Sequence, residues 1–383
     1  MSQQGRLRAA GALAVVGTLL AGCGGTVARP MAGQTPAAQA SGSVLVWYLK
    51  GSEAALLSTD WSGHHQSTFP MPQAPPDMPH YPGKTVPARL WASSVSPDGS
   101  RLVLRDGSIR DPVGAKVAQL DRSAGIVTWA DDNRHFCGMT TPGYESFVGG
   151  TLTGPAILSW VTPGSASRTV ATVGQFGPNA TTTVEACSAH TGMAVLTERT
   201  ASAITQAAKT GLDPVTKLVV VNLSDGSVLF ERDYKVTTNP VGGTLVTVSS
   251  DGRYVAEVYT VVRQGPSAPV QIRALPRGNV VATLGPAEVQ GFSGDDSHAF
   301  VGGASKPDGT RIVGQIVNWR TGEVQLTELG GPIVNASQPA GSAFMVLKPT
   351  TTNGFLENDL WLIPASGTSH IVDSDIVEVY RNN

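Results

Sequence analysis

The chain has 383 residues, a formal net charge of −2 and only 15% charged residues. No basic stripe is available to neutralise a phosphate backbone, which argues against nucleic acid as a partner. Abundant Gly, Ser, Thr and Val with so weak a charge signal point to an all-β protein.

At the start of the chain, Arg6 and Arg8 precede an apolar stretch from Ala9 to Leu20, and then come Leu20-Ala21-Gly22-Cys23. A run of this length is short for a bilayer span but suits the core of a signal peptide. Leu-Ala-Gly-Cys resembles the lipobox of bacterial lipoproteins. That resemblance implies a lipoprotein signal peptide over residues 1–22, cleavage before Cys23, and acylation of the Cys23 thiol and of the new amino terminus. Two or three buried acyl chains make a lasting anchor. Ordinary signal cleavage beside a chance cysteine is the alternative. Residues 23–42, rich in Gly, Ala, Pro, Gln and Ser, have nothing with which to build a core and read as a flexible tether. No second apolar run long enough to span a bilayer follows. The expected location is therefore the outer face of the cell membrane, with residues 43–383 as one extracytoplasmic domain.

Within that domain one unit recurs: an apolar run, a Ser-x-Asp-Gly-like turn, then a second apolar run. The clearest copies are Ser96-Pro97-Asp98-Gly99 before Leu102-Val103-Leu104, and Ser249-Ser250-Asp251-Gly252 before Tyr254-Val255-Ala256. Partial copies begin at Ala130, Ser188, Ser293 and Gln338. Asp-Gly and Asp-Asn tolerate positive φ, and Asp bonds nearby backbone N–H groups, so each copy predicts a hairpin. A second hairpin follows each, as in Leu218 to Leu229 and Gln315 to Leu326, giving four antiparallel strands per unit. The markers recur about every 48 residues, the size of a propeller blade. The two longest intervals place insertions near Gly143 to Pro155 and Thr200 to Pro214. The reading is a β-propeller of about seven blades, with six as the alternative. Val44 to Leu49 with Ala54 to Leu57 reads as an outer hairpin, and Asp375 to Tyr380 as a lone strand. Closure is expected from both chain ends in one blade.

The Ser-Pro-Asp-Gly turn with strands ending in Thr-Gly or Asp-Gly resembles the WD40-like propeller repeat of TolB and of peptidase propellers, over most of residues 90–372. The resemblance implies a binding platform at the central channel or the loops of one face. It names no ligand, because the architecture hosts unrelated functions.

Catalytic readings find little support in the residues. A Gly-x-Ser-x-Gly elbow on an α/β domain is missing; Gly291-Phe292-Ser293-Gly294 falls inside a turn. Asp98, Asp132, Asp251 and Asp295 are explained by their turns rather than as a glycosidase pair. Lys306 to Thr310 is only a partial Asp-box. His64, His65 and His80 flank a Pro-rich loop, but adjacent histidines in a strand point opposite ways, so no metal and no cofactor is expected. His135, His190 and His298 sit in or beside turns.

The loop over 69–87, with Phe69-Pro70-Met71-Pro72 and Met78-Pro79-His80-Tyr81-Pro82, favours polyproline II. It reads as a connector or strap, or as an arm for a partner. Cys137 and Cys187 flank successive turns, on what read as inner strands of neighbouring blades. Outside the cytoplasm such a pair oxidises; otherwise both are buried small hydrophobes. The expectation is a monomeric, non-catalytic, lipid-anchored propeller that binds a protein or envelope polymer. The alternative is a secreted envelope glycan or peptide hydrolase or lyase.

Overall fold

The computed structural model describes residues 44–50, 55–70, 92–104, 106–143, 153–177, 180–302, 313–330, 333–339, 341–349, 358–364 and 366–380. The expected signal peptide (1–22), Cys23, the tether (23–42) and residues 71–87 of the Pro-rich loop lie outside them.

The all-β reading holds: the described residues form antiparallel sheets and a single α-helix, Ala201–Thr210. The sheets are six among the described residues, the alternative blade count. Four have four strands in simple meander order, as in Ala180–Ser188, Met193–Thr200, Lys217–Asn222 and Val228–Asp233. The sheet that begins at Glu288 and the one that begins at Ala92 are built alike. The sheet around Val241–Val248 gains the two-residue strands Thr237–Thr238 and Gly265–Pro266.

The remaining sheet has seven strands and carries both chain ends. Its central strand, His370–Tyr380, serves twice. Residues His370 to Ile376 pair with Asn358–Ile363, and residues Ile376 to Tyr380 pair with Leu45–Lys50. Asp375, at φ +61°, turns the strand between the two duties. The double sheet thus holds two four-strand units, and the unit recurs seven times around the ring even though hydrogen bonding joins two of them. Below, unit 1 is residues 376–380 with Leu45–Lys50, Ala55–Asp60 and His65–Thr68, and units 2 to 7 follow in chain order.

Packing follows the same count. Seven apolar clusters appear among the described residues, one between each unit and the next. The second strand of unit 1 shows how sequence encodes this. Leu45, Trp47 and Leu49 pack toward unit 2, with Val95 and Leu102, while Val46 and Tyr48 pack toward unit 7, with Met345 and Leu362. Middle strands covered on both faces read as unbroken apolar runs, and outer strands do not. Val228–Asp233, an outer strand, alternates between exposed and half-buried residues.

Two elements differ from the sequence reading. Residues 45–60 are not an outer hairpin: they are the second and third strands of unit 1, because the chain's last residues supply the innermost one. Likewise 375–380 is no lone strand but the end of an 11-residue one. A single long strand buries two edges at once, which removes the exposed templates that open sheets present.

Candidate binding face

The Ser-x-Asp-Gly turns join the first strand of each unit to the second, and their chemistry repeats. Ser96 Oγ donates to Asp98 Oδ1 at 2.7 Å, Ser249 Oγ to Asp251 Oδ1 at 2.8 Å, and Ser293 Oγ to Asp295 Oδ1 at 2.6 Å. In each turn the same aspartate oxygen accepts a backbone N–H two residues on, from Ser100, Arg253 or Ser297. The serine oxygen in turn accepts the N–H five residues on, from Arg101, Tyr254 or His298. One carboxylate and one hydroxyl therefore satisfy the donors of a whole turn. Asp132 does the work for its own turn, accepting the N–H groups of Arg134 and His135 and contacting His135 Nδ1 at 2.6 Å. Burial opposes ionisation of Asp132 and Asp295, yet the bonds they accept outweigh it and hold both carboxyls below the usual range.

Neighbouring turns also bond to each other. Asp98 N–H donates to Asn133 Oδ1 at 3.0 Å, and Ser188 Oγ to Asp131 Oδ2 at 2.6 Å. Arg253 Nη2 donates to Asp296 Oδ2 at 2.8 Å, and Asp295 N–H to the Gly341 carbonyl at 3.1 Å. All these turns consequently lie on one face of the ring. The first strand enters there too: Leu45 N–H donates to the Asp98 carbonyl at 3.0 Å, and Trp47 Nε1 to the Gly99 carbonyl at 2.7 Å. Cys137 and Cys187 are joined as a disulfide near this face, with Cα atoms 5.8 Å apart. Cys187 lies on the innermost strand of unit 4, whereas Cys137 lies on the second strand of unit 3 rather than on an inner one.

The opposite face carries the connections from second to third strands, and the long insertions fall among these. Residues 201–216 form the largest described one, with the helix Ala201–Thr210. Alanine at 201, 203, 207 and 208 favours a helix, and Gly211 at φ +72° ends it, donating to the Ala207 carbonyl. Ala203 and Gln206 face inward above Leu212 and Val215, all buried. At its base Arg199 Nε meets Asp213 at 2.9 Å, and its Nη1 lies 3.8 Å from Glu185. Desolvation pushes the nearby Glu198 carboxyl up. Residues 262–269, joining Tyr254–Val261 to Val270–Ala274, emerge from the same face.

Innermost strands of successive units lie side by side around the channel. Their polar residues include Ser94, Thr128, Thr183, Thr244, Thr247 and Ser337, and none of their described residues is Lys, Arg or His. Some of the hydroxyls tie strand to strand: Thr247 Oγ1 donates to the Val289 carbonyl at 2.7 Å, and Ser337 Oγ to that of Phe292 at 2.6 Å. Glu185, Glu288 and Glu378 are the acids on these strands. Glu288 is solvent-exposed but closely ringed by protein, and desolvation pushes its carboxyl up.

His64 and His65 are exposed, and His80 lies outside the described residues. Among the described residues no group of three or more His, Cys, Asp or Glu is placed to hold a metal ion. No described helix is long and apolar enough to cross a membrane.

The fold and its two unlike faces define a β-propeller. No family model matches the chain, and no curated protein does. Several solved structures resemble this chain. TolB from Acinetobacter baumannii is 13% identical over 88% of this chain and 66% of its own, with a TM-score of 0.37. Oligogalacturonate lyase from Vibrio parahaemolyticus is 10% identical over 79% of this chain and 88% of its own, at 0.44. Prolyl oligopeptidase B from Galerina marginata is 11% identical over 85% of this chain but 48% of its own, at 0.48. All three TM-scores lie below 0.5, and no residue role passes across these likenesses.

Proposed function

We propose that this chain is a non-catalytic, lipid-anchored, extracytoplasmic binding platform, with the insertion-bearing face as its docking surface for a protein or envelope polymer. The observation that carries this reading is the contrast between the two faces. On the turn face the Asp and Ser side chains are occupied in satisfying backbone donors and linking neighbours. The other face carries the helix and the long connections, the usual place for recognition on a rigid scaffold. The first described strand, Leu45–Lys50, enters the ring at the turn face, where Leu45 N–H meets the Asp98 carbonyl.

The test is cross-linked capture from cells of the native lipoprotein and of a variant in which residues 201–216 are replaced by a tight turn. Loss of a reproducible partner in the variant supports the reading. Labelling with radioactive palmitate, lost in Cys23→Ser, tests the anchor separately. Glu288 favours the second reading, a glycan or peptide hydrolase or lyase, since an exposed carboxyl kept protonated to higher pH suits a general acid. If nothing is captured and an envelope polymer is cleaved by the native chain but not by Glu288→Gln, the second reading replaces the first.

A further inference from the structure

Asp296 occupies a position that its sister turns fill with Gly99, Asn133 and Gly252, all at positive φ; its own φ is +53°. The backbone there needs no carboxylate, yet one is present and only 1% exposed. Asp296 Oδ2 accepts from Arg253 Nη2 at 2.8 Å, while Oδ1 is buried without a hydrogen-bond donor. Arg253 is not its alone, because the same guanidinium meets Asp251 through Nε. Asp251 Oδ2 and Asp296 Oδ2 therefore both lie against one guanidinium. Two carboxyls thus share one cation in the joint between units 5 and 6.

The other charged neighbours do not restore the balance. Arg320 Nε and Nη2 turn to the Asp296 backbone carbonyl at 3.4 and 3.3 Å, and the guanidinium stacks 4.4 Å over Trp319 and 5.5 Å over Tyr254. Asp295 is taken up by Ser293 and Ser297, and His298 Nδ1 by Ser297 Oγ. Fully ionised, the pair would leave excess negative charge in a desolvated site, and a bound proton is the simplest compensation.

We propose that Asp296 holds a proton beside the Arg253 it shares with Asp251, and that this proton is a pH-sensitive bolt joining units 5 and 6 on the turn face. The proton, on Asp296, brings the cluster of Asp251, Asp296 and Arg253 to neutrality. Burial first, then the Asp251 charge, raise the Asp296 carboxyl to about 7 against the pull of Arg253. A carboxyl raised on folding gives stability that is complete below its unfolded value of 3.8, declines as pH rises, and is lost once pH passes the folded value. Within that window the folding equilibrium constant falls about tenfold per pH unit from this site alone. The bolt is tight in mild acid and loose in mild base, independently of what the other face binds.

The test is urea unfolding of the full chain in detergent at pH 5 and pH 8, for wild type, Asp296→Asn and Asp296→Gly. Sister turns place Asn and Gly at the same φ, so both variants keep the backbone. The wild type is expected to lose stability between the two pH values, and both variants to lose much less and to equal or exceed it at pH 8. Carboxyl-labelled aspartate followed by NMR should show one titration near neutrality, absent in Asp296→Asn. An unchanged pH slope in both variants, or an Asp296 resonance titrating in the ordinary carboxylate range, overturns the proposal.

Discussion

The disulfide gives the sharpest quantitative expectation for the ring. Cys137 and Cys187 are buried, at 0% and 1% exposure, among Met139, Leu158 and Leu196, and their bond spans 50 residues of sequence. It reinforces a joint already made by polar contacts, since Asp131 N–H donates to the Cys187 carbonyl and Asp131 accepts from Ser188. Native geometry is therefore held from both sides, and removing the cross-link acts chiefly on the unfolded chain. Closing a loop of this length lowers unfolded-chain entropy by an amount worth about 4 kcal/mol at 25 °C. Replacing both cysteines by alanine should therefore reduce the folding equilibrium constant roughly a thousandfold. Equilibrium urea unfolding of the oxidised full chain against Cys137→Ala/Cys187→Ala measures it. A loss below about 1 kcal/mol, well under the usual range for native bridges, would refute the reasoning. So would two thiols titrating in the native wild-type chain.

Four further outcomes follow from the structure. Gly99→Ala would place a Cβ 2.0 Å from the Leu45 carbonyl oxygen at φ +70°; backbone strain alone costs ~1–3 kcal/mol, read as a lower melting temperature. Glu257→Gln should cost ~3 kcal/mol, because buried Glu257 pairs with Arg273 at 2.9 Å and Arg232 at 3.3 Å and accepts from Tyr234 at 2.6 Å; Tyr234→Phe should cost about 1 kcal/mol. Deleting residues 376–383 removes the innermost strand of unit 1 and uncovers Val46 and Tyr48, and limited proteolysis should then cut within residues 45–68.

Much of this was legible in the sequence because the turn chemistry is local. Ser249-Ser250-Asp251-Gly252 states its own geometry, since Ser, Asp and a positive-φ residue at that spacing satisfy one another without help from elsewhere. Closure was harder to read. That Leu45–Lys50 is a second strand depends on residues some 330 positions away, and its unbroken apolar run fits any strand covered on both faces. The spacing of the turns marks an insertion over the helix Ala201–Thr210, and its alanines and terminal Gly211 are an adequate helix signal. Asp296 reads locally as only a weak copy of the turn glycine. Its importance comes from Arg253 and Asp251 on the neighbouring unit, which no local pattern reveals.

The doubly used strand His370–Tyr380 also imposes an order in time. Leu45–Lys50 leaves the ribosome among the first strands of the domain, and its inner partner is the last. Tyr48 meets Asp373 across 325 residues, a loop whose closure costs about 2 kcal/mol more than one spanning a single unit. Until that partner arrives, unit 1 keeps an open apolar edge, and the ring cannot complete its seventh joint. Closure therefore reports that the entire domain has been made. A chain cut short by early termination keeps its edge exposed, in the form that quality-control proteases and chaperones recognise.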